Sequence, residues 1–309
     1  MIKYSVVVPV YNSEPTLEEL YSRVKNVFEN TLNETFEMVL VDDSSHDGSF
    51  NKMAELSARD SRIISVQLAQ NFGQHNALLC GFSHAGGEYI ITIDDDLQHP
   101  PEEIPKLIKA MEENEGMDVV IGKYETKKHS LIRNIGSRVI NGIARHTNEK
   151  TSHLDMTSFR LIKRFVINYL LEINIRTPRI GYLITAITDK IMNVTVQHDE
   201  RKYGSSQYTF RRLVNDFKVE VLSNTVLPLI IVRNIGIALF FISLIMTAVY
   251  LIKYFVADID VEGWTTLVIL LLLFFGVTLF SIGIIGEYLM RIIGEAKKIP
   301  NYFERKKIN

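Results

Sequence analysis

The chain has 309 residues, a formal net charge of −2 and apolar residues at 47% of its positions. This length and composition suit about two structural units with a substantial core. The near-neutral charge argues against nucleic acid as a partner. The single cysteine, Cys80, excludes an internal disulfide.

The first 125 residues alternate between strand-like and helix-like segments. The strand-like segments are 5–10, 37–43, 63–68, 89–96 and 119–122, and the helix-like segments are 16–29, 49–59, 74–84 and 101–113. Continuous apolar strands that alternate with helices are typical of a mostly parallel sheet with helices on both faces. The sequence therefore predicts an α/β domain over residues 1–209, with ligands bound beyond the carboxyl ends of the strands.

Two later segments, 234–252 and 263–286, contain no Asp, Glu, Lys or Arg. As helices they would be about 28 and 36 Å long, close to the ~30 Å of a bilayer's hydrocarbon core. Lys253 can extend its side chain to the interface, so the first span is taken as 234–257. The sequence predicts transmembrane helices over 234–257 and 263–286, with a pair of buried core helices as the alternative.

Basic residues lie on the outer flanks of these two segments. They are Arg211, Arg212, Lys218 and Arg233 before the first, and Arg291, Lys297, Lys298, Arg305, Lys306 and Lys307 after the second. The positive-inside rule then predicts an inner-membrane protein whose catalytic domain, both termini and basic tail at 287–309 are cytoplasmic. Residues 210–233 are amphipathic, which fits a helix lying on the bilayer surface or one packed on the domain.

Three consecutive carboxylates, Asp94, Asp95 and Asp96, end the segment 89–96. The sequence has neither GxGxxG after the first strand nor GxxxxGK[ST], so a metal ion or basic side chains would have to neutralise phosphate charge. Alternation along a strand would put the side chains of Asp94 and Asp96 on one side, and Gln98 follows at the same two-residue spacing. Such oxygen ligands suit Mg²⁺ or Mn²⁺. The alternative is a solvated acidic cap.

Polar residues also follow the first two strands. Asp42 lies in Asp42-Asp43-Ser44-Ser45, where a carboxylate could accept hydrogen bonds from a base or a ribose, and residues 9–14 form the first loop. Both segments can also be interpreted as turns that begin a helix.

Two further segments could hold phosphate. Residues 201–208 combine basic residues with glycine, serine and tyrosine, which suits a phosphate clamp or, alternatively, a basic loop near a membrane. Arg133 and Ser137 are four residues apart, so they share one face of a predicted helix.

The segments SVVVPVYN, VDDSSHDGS, NFGQHNALLCGF, DDDLQHPPEEIP and ERKYGSSQY occur in this order before the uncharged segments. In this combination the chain resembles the inverting family-2 glycosyltransferases with a GT-A fold, in the branch that glycosylates polyprenyl phosphates. The resemblance covers essentially the whole chain. It implies a nucleotide diphosphate sugar donor, UDP-linked rather than GDP-linked, and an acceptor such as undecaprenyl phosphate. It also implies Mg²⁺ or Mn²⁺, and a homo-oligomer for which relatives suggest a tetramer.

The resemblance assigns roles to individual residues. The nucleotide-sugar site would contain Pro9, Tyr11, Glu14, Asp42, Asp94 and Asp95, and the metal ligands would be Asp94, Asp96 and Gln98. The acceptor phosphate would be held by Arg133, Ser137, Arg160, Ser206 and Tyr208, with Asp155 and Arg201 as catalytic residues. The first loop departs from the family's PxYNE pattern by reading Asn12-Ser13-Glu14.

The expected reaction is in-line attack of a phosphate oxygen on the anomeric carbon, with inversion. Because that oxygen is already anionic near neutral pH, Asp155 is expected to orient it or act as a weak base. Two alternatives stay open. One is a processive polysaccharide synthase, although that would normally have more spans and a QxxRW-like motif, which this sequence lacks. The other is a non-catalytic membrane scaffold.

Overall fold

The computed structural model describes residues 2–124, 154–173, 175, 178–199 and 300–309, together with scattered positions between 234 and 292. The chain divides into two compact units. The first contains residues 1–205 and 299–309, and the second contains residues 206–298. The first unit holds all the strands found among the described residues.

Eight strands form one sheet within the described part of the chain. They are β1 (Tyr4–Val10), β2 (Phe36–Asp42), β3 (Ile63–Leu68), β4 (Tyr89–Thr92), β5 (Val119–Tyr124), β6 (Arg160–Lys163), β7 (Ile191–Val196) and β8 (Glu304–Ile308). Their order across the sheet is β7-β5-β6-β4-β1-β2-β3-β8. The pairings β1–β2, β1–β4, β2–β3 and β5–β7 are parallel. β6 is antiparallel to β4 and β5, and β8 is antiparallel to β3.

Helices connect the parallel strands and cover the sheet. The described ones are α1 (Glu14–Asn26), continued by a π-helical turn (Val27–Leu32), α2 (Ser49–Arg59), α3 (Gln74–His84), α4 (Ile104–Glu113), preceded by a 3₁₀ turn (Pro101–Glu103), α5 (Arg164–Glu172) and α6 (Ile180–Ile187). α1, α2 and α3 each carry the chain from one parallel strand to the next, because such strands cannot be joined by a tight turn.

The adjacent inner strands β1 and β2 are buried along their whole length. Alternate side chains of β1 point to opposite faces of the sheet and pack in two different apolar clusters. Val6 and Val8 lie in the same apolar cluster as Leu20 of α1, whereas Val7 lies in the same cluster as Phe82 of α3. A sheet covered on both faces needs apolar residues at every strand position. This is the reason that segments 5–10 and 37–43 show continuous rather than alternating hydrophobicity.

The predicted α/β class, with a mostly parallel sheet and helices on both faces, is confirmed. The limits of α2, β3 and α3 agree with the predicted segments. The predicted strand 89–96 is wrong at its carboxyl end, because β4 stops at Thr92. Five residues later the chain turns at Leu97, whose φ of +60° is incompatible with a strand.

The C-terminal segment, expected as a basic tail at 287–309, ends in strand β8. Its register places Ile308 opposite Ser65 and Glu304 opposite Leu68. The Phe303 ring lies 6.1 Å from the Phe72 ring, centroid to centroid. The end of the chain therefore covers the edge of β3, which would otherwise expose unpaired backbone groups.

No helix among the described residues is both long enough and apolar enough to cross a bilayer. Most positions of the predicted spans 234–257 and 263–286, and all of segment 210–233, lie outside those residues. Both spans stay predictions.

Candidate active site

Three loops meet at the carboxyl ends of the adjacent strands β1, β2 and β4. The Tyr11 amide donates a hydrogen bond to Asp95 Oδ2 at 3.0 Å, which joins the loops after β1 and β4. The Asn12 amide donates to Ser45 Oγ at 2.9 Å, and the His46 amide donates to Asn12 Oδ1 at 2.8 Å. These bonds tie the loop after β1 to both of its neighbours, so the polar segments predicted at the strand ends are brought together.

The acidic turn after β4 is supported by side chains from elsewhere in the chain. Gln74, the first residue of α3, donates from Nε2 to Asp94 Oδ1 at 2.7 Å, and Ser158 Oγ donates to Asp94 Oδ2 at 2.5 Å. Asp96 Oδ1 accepts the Gln98 amide at 3.1 Å. Because these residues follow the end of β4, strand alternation does not set the directions of Asp94 and Asp96. Local hydrogen bonds hold them instead.

Asp95 faces the loop after β1. Besides the Tyr11 amide at its carboxylate, its backbone carbonyl accepts a bond from Thr16 Oγ1 at 2.6 Å. Burial raises the pKa of Asp95 to about 7 from the usual 3.8, although Ser13 and the Tyr11 amide oppose the shift. Asp95 therefore fastens two loops together, a structural role beside the donor-binding role predicted for it.

The two carboxylates after β2 have different partners. Asp42 is fully buried and accepts the Ser45 amide and the Gln67 Nε2, each at 3.0 Å. Asp43 accepts the amides of Phe72 and Gly73 at 2.7 and 2.8 Å, and so holds the loop that leads into α3. Burial raises the pKa of Asp43 to about 6. Asp42 remains the predicted nucleoside ligand, while Asp43 positions the helix that carries Gln74.

The remaining predicted donor residues lie in or near the loop after β1. Pro9 is part of β1 and stands opposite Val41 of β2. Tyr11 is 40% exposed, with its ring edge-on to His46 at 6.5 Å between centroids. Glu14 Oε2 accepts the Gly48 amide at 3.0 Å, which links α1 to the loop after β2. Glu14 therefore fastens a loop, in addition to its predicted role in binding the sugar donor.

Two predicted acceptor-side residues have contrasting environments. Asp155 is exposed and forms an ion pair with Lys123, Nζ to Oδ2 at 3.3 Å. Arg160 is 4% exposed and stands opposite Thr92, two residues before Asp94. Burial lowers the pKa of Arg160 to about 10, an effect that the Asp94 carboxylate opposes. Arg160 thus lies inside the domain, beside the acidic turn. The other predicted residues, Arg133, Ser137, Arg201, Ser206 and Tyr208, lie outside the described residues.

Sequence reasoning missed the residues that hold the acidic turn in place. Gln74 lies in NFGQHNALLCGF, a segment used for the family resemblance but given no role. Ser158 lies just before β6, and nothing in its local sequence marks it. His99 is buried, and its unpartnered Nδ1 lies 3.8 Å from Asp94 Oδ2. Gln74 and Ser158 reach Asp94 across 20 and 64 positions of the chain, which no local pattern reveals, whereas His99 is a near neighbour of Asp94 in the sequence.

The donor atoms at this turn fit a hard divalent cation. Asp94, Asp96 and Gln98 offer carboxylate and amide oxygens, which are the ligands preferred by Mg²⁺ and Mn²⁺. Within the described residues, no cluster of three Asp, Glu, His or Cys ligand atoms includes Asp94 or Asp96. A cation here would therefore depend on substrate oxygens and water for its remaining ligands, as Mg²⁺ commonly does with phosphates.

Comparisons with known proteins identify the family and the fold. A family model described as Glycosyl transferase family 2 matches residues 5–171. A structure of glucosyl-3-phosphoglycerate synthase from Mycobacterium tuberculosis with Mn²⁺, UDP-glucose and phosphoglyceric acid has a TM-score of 0.51 at 18% identity, over 66% of this chain and 73% of that one. The same synthase with UDP has a TM-score of 0.51 at 18% identity, over 72% of this chain and 80% of that one.

The family match covers more than half of the chain, and the structural likeness shows a shared GT-A-like fold. This chain belongs to glycosyl transferase family 2.

Proposed function

We propose that this member of glycosyl transferase family 2 transfers a sugar from a UDP-sugar to a polyprenyl phosphate at a membrane, with inversion at the anomeric carbon. The observation that carries the donor side is the acidic turn at the end of β4. It is bonded to the loop after β1 through Asp95 and to α3 through Asp94. Ligands of open α/β sheets bind at such strand ends.

The donor would lie across the three joined loops. Asp42 is oriented by Ser45 and Gln67, and its carboxylate would accept hydrogen bonds from the nucleoside. Asp94, Asp96 and Gln98 would hold Mg²⁺ or Mn²⁺, which neutralises charge on a diphosphate leaving group. The M. tuberculosis synthase of the same fold was solved with Mn²⁺ and UDP-glucose, which supports a divalent cation and a uridine donor here.

The acceptor's chemistry limits what the protein must supply. A phosphate oxygen is already anionic near neutral pH, so the reaction needs orientation and charge screening more than proton removal. An orienting role for Asp155 is therefore sufficient. Asp155 forms an ion pair with Lys123, so a cation lies beside the carboxylate. That cation would offset part of the repulsion between the donor diphosphate and the acceptor phosphate.

The path of the chain supports the predicted topology. Residues 206–298 leave the first unit, and residues 299–309 return to it to form β8. Both ends of the excursion therefore lie on the same side of any membrane, which requires an even number of crossings. Two uncharged segments between basic flanks satisfy that requirement.

The experiment is product analysis by mass spectrometry. The full-length protein in detergent receives UDP-sugars or GDP-sugars together with either undecaprenyl phosphate or 3-phosphoglycerate, the second because the structural neighbours were solved with phosphoglyceric acid. We expect a glycosylated lipid phosphate from a UDP-sugar, only in the presence of Mg²⁺ or Mn²⁺. Asp96→Asn should abolish it, while Glu113→Gln, on the exposed end of α4, should not.

The possible results separate the alternatives. A product on 3-phosphoglycerate and none on the lipid would overturn the proposed acceptor while leaving the donor site intact. Repeated addition of sugars would indicate a processive synthase. Full activity in EDTA would exclude the proposed metal, and no turnover of any donor would favour a scaffold.

A further inference from the structure

Three side chains with metal-binding atoms meet between α3 and β8, on the part of the sheet next to β3. They are Cys80, His84 and Glu304, whose ligand atoms all lie within 4.8 Å of one another. Glu304 Oε1 lies 2.8 Å from His84 Nε2 and 3.6 Å from Cys80 Sγ. The catalytic function proposed above uses none of the three.

The fold explains why they converge. Cys80 and His84 are four residues apart in α3, so they occupy the same face of the helix. Glu304 is the first residue of β8, and the β3–β8 register is irregular between Gln67 and Leu68, opposite Glu304. Such irregularities change the direction in which the side chains of a strand point.

The cluster is partly open to solvent. Cys80 is buried, whereas the side chains of His84 and Glu304 are 16% and 33% exposed. An ion could therefore enter past His84 and Glu304 and reach the buried sulfur last. Beside the cluster, the Tyr302 hydroxyl donates to Ser83 Oγ at 3.2 Å, a second link between α3 and the C-terminal segment.

We propose that Cys80, His84 and Glu304 form a zinc site that fastens the C-terminal strand to α3. Thiolate, imidazole and carboxylate are the ligands that Zn²⁺ takes, and three of them leave a fourth position for water. A thiolate is a poor ligand for Mg²⁺, so this site and the oxygen-rich turn at Asp94 would select different ions. The bound ion would join residues 80 and 304, which are 224 positions apart in the chain.

Metal binding here would be coupled to protons. Burial, with the nearby Glu304 carboxylate, raises the pKa of the Cys80 thiol well above its usual range. The thiol is therefore protonated in the metal-free protein, and the ion must displace that proton.

The chain's single cysteine makes the test specific. The full-length protein is stripped with chelator and titrated with Co²⁺, which gives a near-ultraviolet charge-transfer band when it binds a thiolate. Because Cys80 is the only cysteine in the sequence, such a band can come from no other residue. We expect the band at one Co²⁺ per chain, its displacement by Zn²⁺ and its loss in Cys80→Ser.

Two further variants keep the test decisive if Cys80→Ser does not fold. His84→Gln and Glu304→Gln should each weaken Co²⁺ binding by more than about tenfold, while Tyr302→Phe, one contact away, should leave it unchanged. A titration without a thiolate band would overturn the proposal, as would a band that is equally strong in His84→Gln and Glu304→Gln. Sugar transfer by the metal-stripped protein resupplied with Mg²⁺ is measured separately, so failure of the zinc site leaves the proposed function standing.

Discussion

Gly81 allows helix α3 to lie directly on β1. A β-carbon at this position would be 2.3 Å from Val7 Cγ1 and 3.3 Å from Val41 Cγ2. Carbon atoms in ordinary contact are about 3.5–4.0 Å apart, so relief requires a shift of roughly 1.2–1.7 Å. Val7 is fully buried and β-branched, with little rotamer freedom. We therefore expect Gly81→Ala to move the helix rather than the valine.

The magnitude follows from two opposing effects. Overpacking a core by one methyl group destabilises by about 1–3 kcal/mol, and replacing glycine by alanine in a helix returns about 1 kcal/mol. A net loss of about 0–2 kcal/mol in the free energy of unfolding is expected. The effect on turnover should be larger than this loss implies, because α3 begins at Gln74. A shift above 1 Å would break the 2.7 Å bond from Gln74 to Asp94 and lower kcat by roughly tenfold or more.

A double-mutant cycle tests this reasoning. Val7→Ala removes the atom that collides, so the double variant Gly81→Ala/Val7→Ala should be more stable than the sum of the single effects predicts. Chemical unfolding and sugar-transfer kinetics are measured for all four proteins. Gly116→Ala is the control, since no atom lies within 4 Å of its added β-carbon. Wild-type turnover by Gly81→Ala, or simple additivity in the cycle, would refute the proposed clash.

Three further predictions concern the site and the sheet edge. Asp94→Asn should lower kcat at least a hundredfold and Gln74→Ala about tenfold, with thermal stability nearly unchanged in both. The first variant removes a charge at the leaving group, whereas the second removes only the bond that orients the Asp94 carboxylate; equal effects on kcat would contradict this order. Burial raises the pKa of Asp43 from 3.8 to about 6, so the folded state holds this proton more tightly than the unfolded chain does. The free energy of unfolding of the wild type relative to Asp43→Asn should therefore fall by about 2 kcal/mol from pH 4 to pH 7, and a difference independent of pH would argue against a buried carboxylate. Deleting residues 304–309 exposes the edge of β3, so we expect a lower unfolding temperature and more aggregation in light scattering; an unchanged midpoint would show that β8 does not stabilise the domain.

Local sequence patterns predicted the central parallel sheet well. α2, β3 and α3 have the predicted limits because apolar periodicity and short polar breaks specify them directly. β8 was missed, since its sequence ERKKI is mostly charged. Its strand conformation comes from pairing with β3. Because β3 lies more than 200 residues earlier in the chain, the local sequence of β8 gives no sign of this pairing.

The candidate site shows the same division between local and long-range information. The acidic turn at Asp94–Asp96 was found because three adjacent carboxylates are conspicuous in a sequence. The groups that orient it were missed: Ser158 comes from the segment before β6, 64 positions away, and Gln74 from the start of α3. Single polar residues acquire such roles only when the sheet brings distant segments side by side.

Backbone strain at the strand ends connects the fold to the proposed chemistry. Asn12, Ser44 and Leu97 all have φ near +60°, and they lie in the loops after β1, β2 and β4 respectively. A bulky residue such as leucine adopts this conformation only when its surroundings compensate the cost, which is of order 1–3 kcal/mol. The compensation is visible in the bonds between loops, such as Tyr11 to Asp95 and Asn12 to Ser45. Bonds to the neighbouring loops thus hold each strained loop in place. A donor that binds across all three loops would not have to order them, because they are already ordered in the folded domain.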